Sequence, residues 1–189
     1  MTFDQTRIAD PSFVSENRLA PHSSHRWFAS RSDADRGVST FEQCLNGPWK
    51  FHYAKNPAGT PKGFEAPDFP TEDWDDIPVP GHIQLQGYDK PQYVNTQYPW
   101  DGSEDIWPGE MPTRFNPVGS YVTHFTLEQL LADGERLAVR FDGAESAVAV
   151  WLNGHYVGYG TDAFTPSEFD LTDHLVEGEN KLAAQVFKW

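Results

Sequence analysis

The chain has 189 residues, a formal net charge of −14 at pH 7 and an aromatic fraction of 14%. This length can bury a sizeable core, and the aromatic content argues against disorder over most of it. The negative charge would repel a nucleic-acid backbone or an anionic membrane, and no run of residues is apolar enough to span a bilayer. We therefore expect a folded protein whose partners include neither nucleic acid nor membrane.

The cysteine content indicates a reducing compartment. Cys44 is the single cysteine, which excludes a disulfide framework within the chain. Residues 1–35 contain no basic stretch followed by an apolar one, as a secretory signal would require. A cytoplasmic location is the expectation.

The first part of the chain differs in composition from the rest. Residues 1–40 are polar and rich in Ser, Asp and Arg, with scattered apolar anchors such as Phe13, Leu19 and Trp27. Such a composition predicts an extended N-terminal arm that is ordered by docking on something else. The domain proper is predicted to occupy residues 41–189.

The next stretch combines a strand with loops. Pro48–Tyr53 alternates large and polar residues, as a half-buried strand does. Residues 54–76 are interrupted by Pro and Gly and are predicted to form a loop. Residues 77–85 read as a short extended piece, which Pro78 and Pro80 confine to the edge of a sheet.

Residues 88–118 form a long segment with five prolines and five Tyr or Trp residues. A loop of this length is uncommon in a compact domain unless it is functional or disordered. Its aromatic content favours a functional loop.

The second half of the chain has the clearest strand patterns. The turn signal Asn153-Gly154 predicts a type I′ hairpin with Gly154 at positive φ and Trp151 buried in the sandwich core. Leu171–Leu175 is predicted to form one helical turn capped by Asp170 or Thr172. The predicted strands cover residues 121–127, 137–141, 147–152, 155–159 and 181–189.

About seven to nine strands without a long helical period predict an all-β, antiparallel sandwich or barrel. The last strand ends on Trp189 without a cap, turn or polar tail. Because burial of a large aromatic is worth a few kcal/mol, an independent domain seldom ends this way. We expect a fragment of a longer protein, truncated at or near the C-terminal boundary of this domain.

Motifs that carry chemistry are lacking. The sequence has no GxSxG, Walker, HExxH or paired CxxC motif. His22 and His25 are three residues apart, but no third ligand with metal-binding spacing follows them. Most of the 28 carboxylates lie at turns or in charge clusters, and no pair has an apolar setting that would raise one pKa. We expect no catalytic residue, metal site or cofactor in this chain.

The aromatic segment is the best candidate for a binding site. Sugar rings stack their C–H faces on Trp and Tyr, while their hydroxyls bond to amides and carboxylates. The alternative is that these rings only pin an irregular loop to the sandwich. Aromatic rings and amide or carboxylate side chains occur together in this segment: Tyr88, Tyr93, Asn95, Gln97, Tyr98, Trp100 and Asp101.

A family resemblance bears on this choice. The tract Phe141–Gly160 resembles the hallmark hairpin of the sugar-binding jelly roll of glycoside hydrolase family 2, and Thr165–Thr172 and Gly178–Leu182 continue the match. Further segments resemble the long bacterial β-galactosidases of the lactose-operon type, and Tyr93–Pro99 is the one that favours β-galactosidase over β-glucuronidase or β-mannosidase. These segments are Asn17–His22, Asn46–Phe51, Val79–Gln84, Gly87–Pro91 and Tyr93–Pro99.

The resemblance implies a jelly-roll β-sandwich within a five-domain enzyme that removes terminal β-D-galactose, for example from lactose, with retention. Members of that family carry two catalytic Glu residues, Mg²⁺ and Na⁺ in or near a TIM barrel and are often homo-oligomers. The jelly roll lends a loop to the rim of the galactoside pocket. The matching asparagine is Asn95, with support from Tyr93, Tyr98, Trp100 and Asp101. The chain alone would be inactive.

Three hypotheses remain open from the sequence. The chain is a domain of a β-galactosidase, or of a related β-glucuronidase or β-mannosidase. It is a free-standing carbohydrate-binding module, against which the uncapped Trp189 argues. Or it is a structural domain whose aromatic loop is buried against a partner.

Overall fold

A computed structural model describes residues 3–93 and 95–189 of the chain. The large sheet has the order β1-β7-β6-β9-β4-β2-β3, the small sheet pairs β5 with β8, and every pairing is antiparallel. The predicted all-β sandwich is confirmed. Its strands are β1 (Ser15–Glu16), β2 (Gly47–Ala54), β3 (Asp75–Val79), β4 (Val118–Thr126), β5 (Ala138–Phe141), β6 (Ala147–Leu152), β7 (His155–Thr161), β8 (Ser167–Asp170) and β9 (Glu179–Phe187).

Helical structure is sparse. One short α-helix, α1, spans Arg31–Arg36; Ser30 caps its start and Gly37 ends it at positive φ. In the part of the chain that the structure describes, no helix has the length and apolar character needed to cross a membrane. The 3₁₀ turns are Gln5–Ala9, Pro57–Gly59, Ile83–Leu85 and Thr172–His174.

Both faces of the large sheet are covered at β6, which explains the continuous apolar run of this strand. Successive residues of a strand point to opposite faces, and every residue of β6 is buried. One face of β6 packs toward the small sheet and the other away from it. The two sets are Val148, Val150 and Leu152, and Ala147, Ala149 and Trp151.

The small sheet covers part of one face. Phe169 of β8 is fully buried and belongs to the same core cluster as Trp49 and Phe125 of the large sheet. Beside this core, an apolar cleft of about 890 Å³ lies between β5 and the β2, β4 and β9 strands, with Tyr121 and Phe141 in its walls. The two strands of the small sheet therefore cover only part of the face.

The N-terminal segment covers the opposite face. Phe3 lies among the rings of Trp151, Tyr156, Tyr159 and Phe187, at centroid distances of 5.3 to 6.2 Å. Strand β1 then adds to the edge of the sheet by pairing with β7. Part of the predicted arm therefore packs on the sheet of this same domain.

The predicted burial of Trp151 is confirmed, but the predicted position of its side chain in the core between the two sheets is wrong. Its side chain is 6% exposed, but it lies on the face covered by Phe3 and Phe64 rather than between the two sheets. The register of β6 decides this, because Val150 and Leu152 occupy the face toward the small sheet. Because β6 has apolar residues on both faces, its sequence does not show which face lies toward the small sheet.

The predicted turn after β6 is confirmed. Asn153 and Gly154 have φ values of 51° and 82°, and positive φ at both central positions is what a type I′ turn requires. The Asn153 amide also donates to the His174 carbonyl and to Oδ1 of Asn180, and accepts from the Lys181 amide. The hairpin is thereby tied to the start of β9.

Two other local predictions need correction. Residues 77–85 are not extended throughout, because β3 ends at Val79 and Ile83–Leu85 form a 3₁₀ turn; β3 does lie at the sheet edge, as predicted. The turn predicted at 171–175 is 3₁₀ and covers Thr172–His174. The Asp170 carboxylate accepts from the Thr172 amide at 2.9 Å, close to the predicted capping role.

Candidate functional site

The candidate site is the segment 88–117, called here the aromatic loop. It follows the 3₁₀ turn Ile83–Leu85 and leads into β4, and its described residues contain neither helix nor strand. Two hydrogen bonds between Tyr98 and Asp101 close a turn at its centre. The Asp101 amide donates to the Tyr98 carbonyl, and the Asp101 carboxylate accepts from the Tyr98 amide, each at 3.0 Å. Asp101, a predicted site residue, thus holds the backbone of the loop.

A second carboxylate holds the later part of the loop. Glu104 accepts hydrogen bonds from the hydroxyl and amide of Thr113 and from the amide of Arg114. These bonds, the one from the Thr113 hydroxyl foremost, lower the pKa of the Glu104 carboxyl. The loop is therefore ordered by its own side chains although it lacks regular secondary structure.

The predicted site residues fall into two groups. Tyr98 stacks on Trp100 with ring centroids 5.1 Å apart and an interplanar angle of 7°. Trp100 is half-buried and meets the edge of Trp189 at 6.5 Å. Tyr98, Trp100 and Asp101 thus form one cluster, in which Tyr98 and Asp101 are exposed and Trp100 is half-buried.

Tyr93 and Asn95 form the second group, at the exposed tip of the loop. Tyr93 is 87% exposed and Tyr98 67%, so neither ring is used to pin the loop to the sandwich. The Asn95 side chain is also exposed, and it makes no hydrogen bond with any residue that the structure describes. The Gln92 amide donates to the Pro99 carbonyl at 3.0 Å and links the two sides of this tip.

The purely structural interpretation does hold for Tyr88. Its ring meets the edge of buried Phe51 at 4.7 Å, and its hydroxyl donates to Asp75 at 2.8 Å. Partial burial, with the Asp75 carboxylate, raises the pKa of this phenol. The aromatic residues of the loop therefore divide into anchors and exposed rings.

Sequence reasoning missed the polar contacts at the base of the loop. Asp89 pairs with Lys188, and Asn116 bonds to the backbone of Trp189. The partners are 99 and 73 residues apart in sequence, so no local pattern marks them.

The described residues do not fit a metal centre. Within residues 3–93 and 95–189, no three His, Cys, Asp or Glu side chains lie close enough together to hold an ion.

A comparison with protein families identifies the domain. The family described as "Glycosyl hydrolases family 2, sugar binding domain" matches residues 42–189. The chain belongs to this family. The matched region contains the whole aromatic loop and every strand except β1.

Relatives of this family 2 domain carry one recurrent name. The beta-galactosidase of Streptococcus thermophilus is 47% identical over 98% of the chain, and that of Halalkalibacterium halodurans is 50% identical over 96%. The chain spans about 18% of the length of either protein. A beta-galactosidase large subunit of Latilactobacillus sakei is 44% identical, and the chain covers 30% of it.

Solved structures agree on the fold. A β-glucuronidase of Bifidobacterium dentium, complexed with coumarin-3-O-glucuronide, superposes with a TM-score of 0.54 and 26% identity. The match covers 76% of this chain and 19% of that one. A β-glucuronidase from an uncultured Clostridium gives a TM-score of 0.52 at 25% identity, covering 75% and 21% of the respective chains.

Proposed function

We propose that this family 2 domain belongs to a β-galactosidase that removes terminal β-D-galactose from galactosides such as lactose, with retention of configuration. The supporting observation is the 45–51% identity to proteins named beta-galactosidase, four of which align with 96% or more of the chain. The compared β-glucuronidase structures are 20–26% identical. The difference in identity favours galactose as the sugar.

The proposed contribution of this domain is one wall of the substrate pocket. An asparagine amide offers two donors and an acceptor, which suits a sugar hydroxyl, and aromatic rings suit its C–H face. Asn95, Tyr93 and Tyr98 are exposed on one loop whose turn is fixed by Asp101. In this proposal Asn95 binds the sugar, while Tyr93, Tyr98, Trp100 and Asp101 support it.

The chemistry itself is assigned to the remaining polypeptide. Retaining hydrolysis requires two carboxyl groups about 5–5.5 Å apart, one acting as acid/base and one as nucleophile. Hydrogen bonds from Thr113 and Arg114 lower the pKa of the Glu104 carboxyl, which suits neither the acid role nor a shared proton. We therefore assign the catalytic Glu residues, and any Mg²⁺ or Na⁺, to other domains, and we expect the isolated chain to be inactive.

The other domains of the same polypeptide are the proposed partners. The apolar cleft beside β5 and the half-buried Trp189 offer surface on which they can pack. A cytoplasmic, homo-oligomeric parent completes the proposal; the single Cys44 is compatible with a reducing compartment.

One observation favours a second candidate. The two solved structures compared above are β-glucuronidases, so glucuronides are the alternative substrate class. A uronic acid carries a carboxylate, and recognition of it calls for a cationic group. Lys90 is the one cationic side chain between Tyr88 and Trp107, and the net charge of −14 opposes an anionic ligand. A neutral galactoside is the better match.

A substrate panel tests the proposal. The full-length enzyme is assayed with aryl β-galactoside, β-glucuronide and β-mannoside at equal concentrations, beside the isolated 189-residue chain. We expect galactoside to have the highest kcat/KM by at least about 100-fold, the isolated chain to show no turnover, and galactose to bind that chain no more tightly than about 1 mM. A preference for glucuronide would replace galactoside as the substrate, and turnover by the repurified chain would overturn the division of roles.

A further inference from the structure

Both ends of the aromatic loop are held by the same two residues at the end of β9. Near the start of the loop, the Asp89 carboxylate is 2.5 Å from Nζ of Lys188. At its end, the Asn116 amide donates to the Trp189 carbonyl at 3.1 Å and accepts from the Trp189 amide at 3.0 Å. We call Asp89, Asn116, Lys188 and Trp189 the loop clamp.

The ion pair of the clamp is shielded from water. The Asp89 and Lys188 side chains are 4% and 13% exposed, whereas every other ion pair among the described residues has at least one partner that is more than 30% exposed. Surface pairs contribute little, but loss of one partner of a buried pair leaves the other charge uncompensated. The Gln84 amide donates to the same Asp89 oxygen at 3.3 Å. The contacts of Asp89 with Lys188 and Gln84 therefore hold the start of the loop in one position.

Asn116 fixes the other end in a similar way. It is fully buried, and its amide makes a reciprocal pair of hydrogen bonds like that between neighbouring strands. Its own backbone amide donates to the Lys55 carbonyl at 3.1 Å, and the Lys188 amide donates to the Pro117 carbonyl at 3.0 Å. The end of the loop is therefore continuous with the sheet.

The clamp also reaches the centre of the loop. Trp189 meets Trp100 edge to face, and Trp100 stacks on exposed Tyr98. From there the Gln92–Pro99 hydrogen bond reaches the side of the loop that carries Tyr93. A continuous path of contacts thus joins the end of β9 to the proposed sugar-facing tip.

We propose that Asp89 and Lys188 are positioning residues. They hold the tip of the aromatic loop, where Asn95 lies, in the position and orientation needed to contact a galactoside. This proposal rests on the proposed function, because it takes the tip to be the sugar-binding part. A displacement of about 1 Å in a positioned group can cost about 100-fold in rate. A loop without strand pairing depends on its ends for such accuracy. The alternative is that the pair only stabilises the fold.

The first experiment measures the loop in the 189-residue chain by hydrogen exchange. The variants are Asp89→Asn, the conservative Lys188→Arg, and Arg136→Met, which removes the exposed Arg136–Asp170 pair as a control. We expect Asp89→Asn to speed exchange at least about 10-fold in residues 95–116 while β6 and β9 keep their protection. Lys188→Arg and Arg136→Met should leave the loop unchanged.

Unchanged loop exchange in Asp89→Asn, or an equal increase in all strands, would overturn the proposal. If Asp89→Asn does not fold, the double variant Asp89→Asn/Lys188→Met replaces it, since that variant leaves no unpaired buried charge. Unchanged loop exchange in the double variant, or an equal increase in all strands, would then overturn the proposal.

The second experiment separates positioning from stability by kinetics of the full-length enzyme on an aryl β-galactoside. We expect Asp89→Asn to lower kcat/KM about 10-fold at a temperature where it is fully folded, and Lys188→Arg to keep at least half of the activity. In an Asn95→Ala background, Asp89→Asn should cost less than about 2-fold, because both changes act on one interaction.

Equal losses with and without Asn95 would show that Asp89 does not act through the tip. If Asn95→Ala alone changes nothing, the sugar-binding role of the loop is wrong, and so is its positioning by the clamp. Hydrogen exchange would still show whether the ion pair orders the loop, so the two failures can be told apart.

Discussion

The β6–β7 hairpin and the aromatic loop are both rich in large side chains, but they are held by different means. Every residue of β6 is buried, and β6 is hydrogen-bonded to β7 on one side and to β9 on the other. The aromatic loop has no strand partner among its described residues, and it is held at Asp89 and Asn116. Backbone hydrogen bonds to both neighbouring strands and packing on both faces stabilise the hairpin. The tip of the aromatic loop, in contrast, is exposed.

Under the proposed function, this difference separates the residues that stabilise the fold from those that bind the sugar. Substitutions in the hairpin should change the free energy of unfolding, and substitutions at the loop tip should leave it unchanged. Functional residues are often carried on loops that a rigid scaffold positions, and the proposed function gives the two regions that relation. The predictions below would break this separation or make it quantitative.

The largest effect is expected from Trp151→Ala. The side chain packs against Phe3, Phe64 and Tyr156, so its removal leaves a large cavity and should cost about 3–5 kcal/mol. Trp107→Ala is the matched control, because that indole is 72% exposed in the aromatic loop and its loss should cost less than about 0.5 kcal/mol. Urea unfolding of the 189-residue chain measures both. Similar losses for the two variants would contradict the separation.

Gly154→Val should have the next largest effect. Its φ of 82° disfavours a β-branched residue, and a Cβ at this position would lie 3.1 Å from Cδ of Pro67. We expect a loss of about 2–4 kcal/mol. Gly134→Val provides the control, since Gly134 has φ of 85° with no atom within 4 Å of its Cβ position. If thermal unfolding shows Gly134→Val to be the costlier variant, the packing of the turn on the 66–67 segment is wrong.

A smaller, pH-dependent effect is expected at Glu16, which docks the N-terminal segment. Burial works to raise the pKa of its carboxyl, but hydrogen bonds from Arg7 and Tyr156 prevail and lower it below the ordinary 4.5. Since the folded-state pKa is depressed, the stabilisation is complete above pH 4.5 and is lost as pH falls through the folded-state value. Glu16→Gln should therefore cost about 1 kcal/mol at pH 7 and progressively less as the pH falls below 4.5. A cost that does not change with pH would show that the charge of Glu16 has no part in docking.

The smallest effect on stability is expected from Asn95→Ala. The side chain is exposed and bonds to none of the described residues, so unfolding of the 189-residue chain should change by less than about 0.5 kcal/mol. Circular dichroism during urea unfolding measures this. A loss above about 1 kcal/mol would mean that Asn95 orders the loop.

Local patterns in the sequence were sufficient for the parts that local physics determines. Alternation predicted β2, β4 and β5, and the Asn153-Gly154 pair predicted the turn and its positive φ. Prolines placed β3 at the sheet edge. The sequence analysis did not predict β1, which has two residues, or β8, which has four. A strand of two residues such as β1 spans a single period and has no alternation to recognise.

The site was only partly accessible from the sequence. Composition marked the aromatic segment and the family resemblance singled out Asn95, but which rings would be exposed depends on tertiary packing, as the partial burial of Tyr88 against Phe51 illustrates. The Asp89–Lys188 pair joins residues 99 positions apart, and a charged residue in a polar segment gives no sign of burial. Long-range contacts of this kind become visible only with the fold.

The role of Asn95 is tested most directly by steady-state kinetics of the full-length enzyme on an aryl β-galactoside. Asn95→Ala should lower kcat/KM by about 5- to 150-fold, the equivalent of about 1–3 kcal/mol for a lost polar partner of a sugar hydroxyl. Gln97→Ala, which removes an exposed amide two residues away, should lower it by less than about 2-fold. Unchanged constants for Asn95→Ala, or equal losses for the two variants, would contradict the assignment of Asn95 to the substrate pocket.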